Sequence, residues 1–184
     1  RDSQGFLMNK KRSTGSLNLE GTGYEEIGDN DTFDFDAGDF TMECWAKWRF
    51  RHTGSVLNTV MGLGGQANGI TTASINTDTD EFSFYIGSAN LGSSSTLVDG
   101  DWYHVVCTRT SNTMRMYVDG VLEGGTGTSS SQTVTNTASK LIGKDTTTGR
   151  HYKNQVDAVK VYNAALSATE VLQNYNATKR DHKN

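Results

Sequence analysis

Apolar and polar positions alternate most regularly between residues 101 and 122, where Asp101-Trp-Tyr-His-Val-Val-Cys-Thr-Arg-Thr110 leads into Met114-Arg-Met-Tyr-Val-Asp-Gly-Val-Leu122. Val105 and Cys107 project to one side of the first run, and His104, Val106 and Thr108 to the other. That period of two is the signature of a strand inside a packed sheet. Asp119-Gly120 between two apolar runs predicts a hairpin, because a type I′ turn needs positive φ at both central residues and glycine adopts it without steric cost. The segment reads as three short strands joined by tight turns.

The same alternation recurs along the chain. From Phe40 to Phe50, Phe40, Met42, Cys44, Ala46 and Trp48 share one face, and Thr41, Glu43, Trp45 and Lys47 the other. Trp45 is thus either covered by a second layer or open to a ligand. Residues 16–20 and 24–27 predict a first pair of strands around Gly21-Thr-Gly23, followed by an acidic loop over 28–38. Residues 56–63, 69–75, 81–86, 94–98, 140–143 and 155–162 supply further strands, separated by turn-forming material. The Gly, Ser and Thr run at 124–139, with Val134 at its centre, predicts a surface loop crossing between sheets. Ser167 stands three residues before Glu170, a capping box that opens a short helix with Val171, Leu172 and Tyr175 inward. Residues 1–12, with Lys10-Lys11-Arg12, read as an arm, frayed or docked on a partner; 13–176 form the domain, and 177–184 a polar tail. There is no internal repeat, which excludes solenoids and propellers.

Composition sharpens this. A chain of 184 residues with 20 glycines and no proline must build its turns from Gly, Asn, Asp and Ser, which suits an all-β domain of many short strands. Such a chain buries roughly 70% of its unfolded surface, enough for one core. A net charge of −4 argues against a dedicated nucleic-acid partner. No stretch approaches the ~18 apolar residues of a membrane span, and none resembles a signal peptide. Because the sequence starts at Arg1 rather than Met, processing or excision from a longer polypeptide is expected. Cys44 and Cys107 sit among apolar strand residues and read as buried free thiols, with a disulfide as the alternative if their strands are neighbours.

Several blocks occur in a telling order: Tyr24-Glu-Glu-Ile, Asp39-Phe-Thr-Met-Glu-Cys-Trp-Ala-Lys, Asp99-Gly-Asp-Trp-Tyr-His-Val-Val, Met116-Tyr-Val-Asp-Gly, Leu141-Ile-Gly and Val156-Asp-Ala-Val-Lys-Val-Tyr-Asn-Ala-Ala-Leu-Ser. Over about residues 16–176 they resemble the laminin-G-like, concanavalin-A-like lectin/glucanase superfamily. The resemblance implies a jelly-roll sandwich of two antiparallel sheets with no fixed activity. The ending Glu170-Val-Leu-Gln-Asn-Tyr-Asn-Ala-Thr-Lys179 is similar to laminin-G-like domains of marine tailed-bacteriophage structural proteins. The family also implies an edge calcium site, with Asp157 at the matching position and a partner near Glu20 and Gly21. The acidic run Asp29, Asp31, Asp34, Asp36 and Asp39 is a second possibility, although it lacks a complete EF-hand pattern.

Catalysis finds less support. The superfamily's glucanases carry alternating acids on one strand, and this chain lacks that spacing; Asp78, Asp80 and Glu81 are the nearest set. No glycine-framed nucleophilic serine accompanies the four histidines. His104 reads as a satisfied core histidine and Asp119 as a turn residue. For recognition, Trp48, Arg49, Arg51 and His52, and a second group with Arg150 and Tyr152, combine sugar-stacking rings with guanidinium forks that match acidic groups. The expected function is a non-enzymatic recognition or structural module on a bacteriophage virion surface, touching virion proteins or host glycans and compatible with a homo-oligomer. The alternatives are a glycan-binding module of a secreted bacterial adhesin or enzyme, and a diverged glycosidase.

Overall fold

The computed structural model describes residues 5–7, 15–20, 22–48, 57–64, 71–76, 81–95, 97–128, 133–135, 137–146 and 150–183. In chain order the strands are β1 (Gly5–Leu7), β2 (Leu17–Asn18), β3 (Glu25–Gly28), β4 (Phe40–Lys47), β5 (Leu57–Gly62), β6 (Thr71–Asn76) and β7 (Glu81–Ile86). They continue as β8 (Ala89–Gly92), β9 (Trp102–Thr110), β10 (Thr113–Val118), β11 (Val121–Thr128), β12 (Lys140–Ile142) and β13 (Gln155–Tyr162), before helix α1 (Ala168–Thr178). One sheet runs β1-β13-β4-β9-β10-β11, with β2 also paired to β13; the other runs β3-β12-β5-β6-β7-β8. Every pairing is antiparallel. The expected two-sheet sandwich with one short C-terminal helix is the observed fold.

The alternation decides which side chains lie between the sheets. Phe40, Met42, Cys44, Ala46 and Trp48 from β4 and its end meet Tyr103, Val105 and Cys107 from β9 and Phe82, Phe84 and Ile86 from β7 in the main core. Cys44 and Cys107 are both buried and free. The Asp119-Gly120 turn has φ of 51° and 82°, the two positive values that the sequence requires of it. The capping box forms as expected, with Glu170 N–H donating to Ser167 Oγ and Ser167 N–H to the Glu170 carboxylate.

Four expectations change. The segments at 16–20 and 24–27 do not pair with each other: β2 joins β13 and β3 joins β12, in different sheets. A strand forms at Ala89–Gly92 rather than over 94–98. The expected loop at 124–139 is strand as far as Thr128, and Val134 is fully buried where it bridges Asp36. Within the expected arm, Gly5–Leu7 pairs with 160–162, and the expected polar tail continues α1 to Thr178 and then folds back through one tight turn at 179–181.

Candidate functional site

The outward side chains at the middle of β4 and β9, Glu43, Trp45, His104 and Val106, are buried beneath α1 and the turn that follows it. Val106, Tyr117, Leu166 and Val171 form a second apolar cluster there. Beside it the Glu43 carboxylate accepts from Lys160 Nζ at 2.7 Å, His104 Nε2 at 3.2 Å, Tyr162 OH at 2.9 Å and Asn174 Nδ2 at 2.8 Å. Burial pushes the Glu43 carboxyl up; the His104 hydrogen bond and the Lys160 charge outweigh it and hold the group at about 2. An acid so thoroughly ionised is a structural anion rather than a proton donor at neutral pH. Trp45 is covered: His182 stacks on it at 4.2 Å between ring centroids, Tyr175 lies at 5.9 Å, and its indole N–H donates to Thr178 Oγ1.

The predicted site residues fall in separate places. Trp48 and Tyr152 are core residues, 2% and 3% exposed, and the Tyr152 hydroxyl donates to the Lys47 carbonyl. Both rings, expected as ligand platforms, are packed in the sandwich core rather than exposed at the rim. Arg49, Arg51 and His52 lie outside the described residues. Arg150 is on the surface, where its Nη1 meets Asp145 Oδ2 at 3.3 Å, and Asp145 is fully buried beneath it.

Asp157 accepts from His182 Nε2 at 3.0 Å and from the adjacent Ala158 N–H at 2.7 Å. Glu20 follows Leu19, whose N–H bonds the Asn154 carbonyl, whereas Asp157 lies beyond the Leu17–Val156 pairing. At ~3.4 Å per residue the two acids are separated by roughly 10 Å or more along the strands. The residues therefore do not fit an edge calcium site shared by Asp157 and Glu20. Among the described residues no three His, Cys, Asp or Glu side chains converge as metal ligands. The acidic run is built around a lysine instead: Lys140 Nζ, enclosed by protein, lies 3.2 Å from Asp29 Oδ1, 4.0 Å from Asp34 Oδ1 and 2.9 Å from the Ala138 carbonyl.

The strongest surface constellation lies where β3 begins and the chain leaves β12. Gly143, at φ 84°, donates to the Val60 carbonyl and accepts from Tyr152 N–H, which ties Tyr152 back to the end of β12. A Cβ there would collide with the buried Leu19 side chain. Gly143→Ala combines that overpacking with a left-handed backbone and is expected to cost about 2–4 kcal/mol in equilibrium urea unfolding.

The turn brings Lys144 and His151 beside Tyr24. The Lys144 ammonium sits 4.5 Å from the centre of the Tyr24 ring, His151 meets that ring edge-on at 6.1 Å, and Tyr24 remains 42% exposed. Burial lowers the His151 pKa, and the Lys144 and Lys153 charges lower it further against the opposing charge of Asp145. Sequence reasoning found Arg150 and missed Tyr24 and Lys144. Tyr24 opened a recognised block, but nothing local shows that the segment 119 residues later, at Gly143, folds against it.

A family profile described as the concanavalin A-like lectin/glucanases superfamily matches residues 19–172. No curated protein matched the sequence. Among solved structures, the binding domain of paraclostridial mosquitocidal protein 1 is similar at a TM-score of 0.70 and 16% identity, over 88% of this chain and 42% of that one. Domain 4 of AbnA, a GH43 extracellular arabinanase from Geobacillus stearothermophilus solved with arabinotriose, is similar at 0.63 and 15% identity, over 94% and 81%. Trypanosoma rangeli sialidase is similar at 0.60 and 19% identity, over 82% of this chain and 24% of that one. The chain thus spans under half of the mosquitocidal and sialidase chains it resembles.

Proposed function

Because the chain belongs to the concanavalin A-like lectin/glucanase superfamily, we propose that it is a non-catalytic carbohydrate-recognition domain. One observation carries this reading: the two carboxylates buried among the described residues are each tied to a cation, Glu43 to Lys160 and Asp145 to Arg150. Glycoside hydrolysis requires a protonated acid facing a second carboxylate across the scissile bond, and Glu43, held at about 2, is not such an acid. The likeness to an arabinanase domain solved with arabinotriose supports recognition of sugars, and the likeness to a domain named a binding domain supports a binding role.

Binding is assigned to the rim around Tyr24, Lys144 and Arg150, with Arg49, Arg51 and His52 as a second candidate segment. The setting is an exterior surface: that of a bacteriophage virion, favoured by the block at 170–179, or that of a secreted bacterial protein. Sequence flanking the domain in its native polypeptide decides between them. No helix among the described residues is long and apolar enough to cross a membrane.

A glycan array probed in chelator and in millimolar calcium tests the function. Binding to at least one glycan class, equal in both buffers, is expected. No binding to any glycan, or release of reducing sugar from a polysaccharide panel, would overturn it.

A further inference from the structure

We propose that the rim built by Tyr24, Lys144, Arg150 and Lys153 is specific for an anionic sugar, carboxylated or sulfated, whose charge meets Lys144 while its ring packs on Tyr24. This rests on the carbohydrate reading above and adds to it the charge of the ligand.

Lys140, Lys160 and Lys183 each hold a carboxylate, from Asp29, Glu43 and Asp119 respectively. At the rim the buried carboxylate, Asp145, is engaged by Arg150 at 3.3 Å. Among the described residues no carboxylate pairs with Lys144 or Lys153. Lys144 and Lys153 thus act on His151 from a corner where the buried Asp145 is already engaged by Arg150.

Tyr24 keeps 42% of its surface exposed even with the Lys144 ammonium 4.5 Å from its ring centre. The cation lies over one face of the ring, so the exposed remainder of Tyr24 is left to contact the C–H groups of a sugar whose charge meets the ammonium. The support beneath is rigid: the Gly143 turn is bonded to Val60 and Tyr152, and Tyr152 to the end of β4. Charge-assisted contacts on a fixed frame lose little to reorganisation on binding.

His151 makes the inference measurable. Its ring is packed against Tyr24, the residue before β3, and the residue follows Arg150 and bridges Thr59 of β5 and Lys144 through the backbone. The charges acting on it are Lys144, Lys153 and, opposing them, Asp145. An anion seated on the lysines joins the opposing side, so the His151 pKa must rise when the site fills.

The experiment is an NMR titration of the histidine rings in the full chain, with the His151 signal identified by its loss in His151→Gln. The probes are methyl β-D-glucuronide, glucose 6-sulfate, the neutral methyl β-D-glucoside and inorganic sulfate at matched ionic strength. Both anionic sugars are expected to bind at least about tenfold more tightly than the glucoside and to raise the His151 pKa by roughly 0.5–1 unit. Lys144→Gln should remove that preference with an unchanged melting temperature, and Tyr24→Ala should weaken both anionic sugars.

Equal affinity for glucuronide and glucoside overturns the charge specificity and leaves carbohydrate recognition standing. A His151 shift as large with sulfate as with the sugars removes the sugar from the site. Absence of binding both here and on the glycan array removes the carbohydrate reading and this inference together.

Discussion

Glu43→Ala is expected to lower the unfolding free energy by about 3–5 kcal/mol, the scale for removing one partner of a buried ion pair. The loss follows from what remains. Lys160 keeps its charge without a counter-ion, and His104, Tyr162 and Asn174 each lose the acceptor they share under α1. Urea unfolding followed by far-UV circular dichroism measures it, and a loss below about 1 kcal/mol would show that the network is not held as described. The same carboxyl predicts an acid dependence. Its folded pKa of about 2 lies below the ordinary 4.5, so the unfolded chain takes up the proton first as pH falls. The stabilisation is complete above about pH 4.5 and is lost as pH drops toward about 2, with a total on the order of 3 kcal/mol. Glu43→Gln should flatten stability across that window.

Trp45→Ala is expected to cost about 3–5 kcal/mol, comparable to other deletions of large buried aromatic side chains. Trp45 is 1% exposed and is held from two sides. Beneath it β9 supplies His104, with ring centroids 5.2 Å apart, while Tyr175 and His182 cover it from the helix and the turn beyond. Removing the indole also leaves Thr178 Oγ1 without its donor. The loss should be concentrated at the C-terminus. Hydrogen exchange should accelerate in residues 168–183 before the β4–β9 ladder opens, and uniform acceleration over both would contradict a helix docked chiefly through this ring.

Most of the fold was legible because the relevant signals are local. Alternation along 40–48 and 102–110 assigned inward and outward faces, Asp119-Gly120 fixed one turn, and Ser167 with Glu170 fixed one cap. Trp45 could be narrowed to two outcomes but not resolved, since its cover arrives from residues 175–182, more than 120 positions away. The pairing of β2 and β3 was misjudged for the same reason: a Gly-Thr-Gly turn signals reversal, while the choice of sheet depends on partners at 140–142 and 155–156. The site was less legible than the fold. Aromatic residues near arginine look alike in sequence whether they pack or bind, and Trp48 and Tyr152 pack. Tyr24 and Lys144 became a pair only through the Gly143 turn. The lysine inside the acidic run carried no local sign either, because alternation alone assigns Lys140 no counter-ions.

The strand order β1-β13-β4 also governs how the molecule can be made. β13 is the last strand, yet it occupies an interior position, pairing β4 on one side and β1 and β2 on the other. Its register joins Thr41 to Tyr162 and Ala46 to Val156, closures of more than 100 residues. Loops of that length form late and slowly compared with local hairpins such as β9–β10. Until residues near 162 have left the ribosome, β4 presents an unpaired and strongly apolar edge to the cell. During synthesis that edge is open to pairing with other chains, and holding it apart from them is the task a folding helper would face.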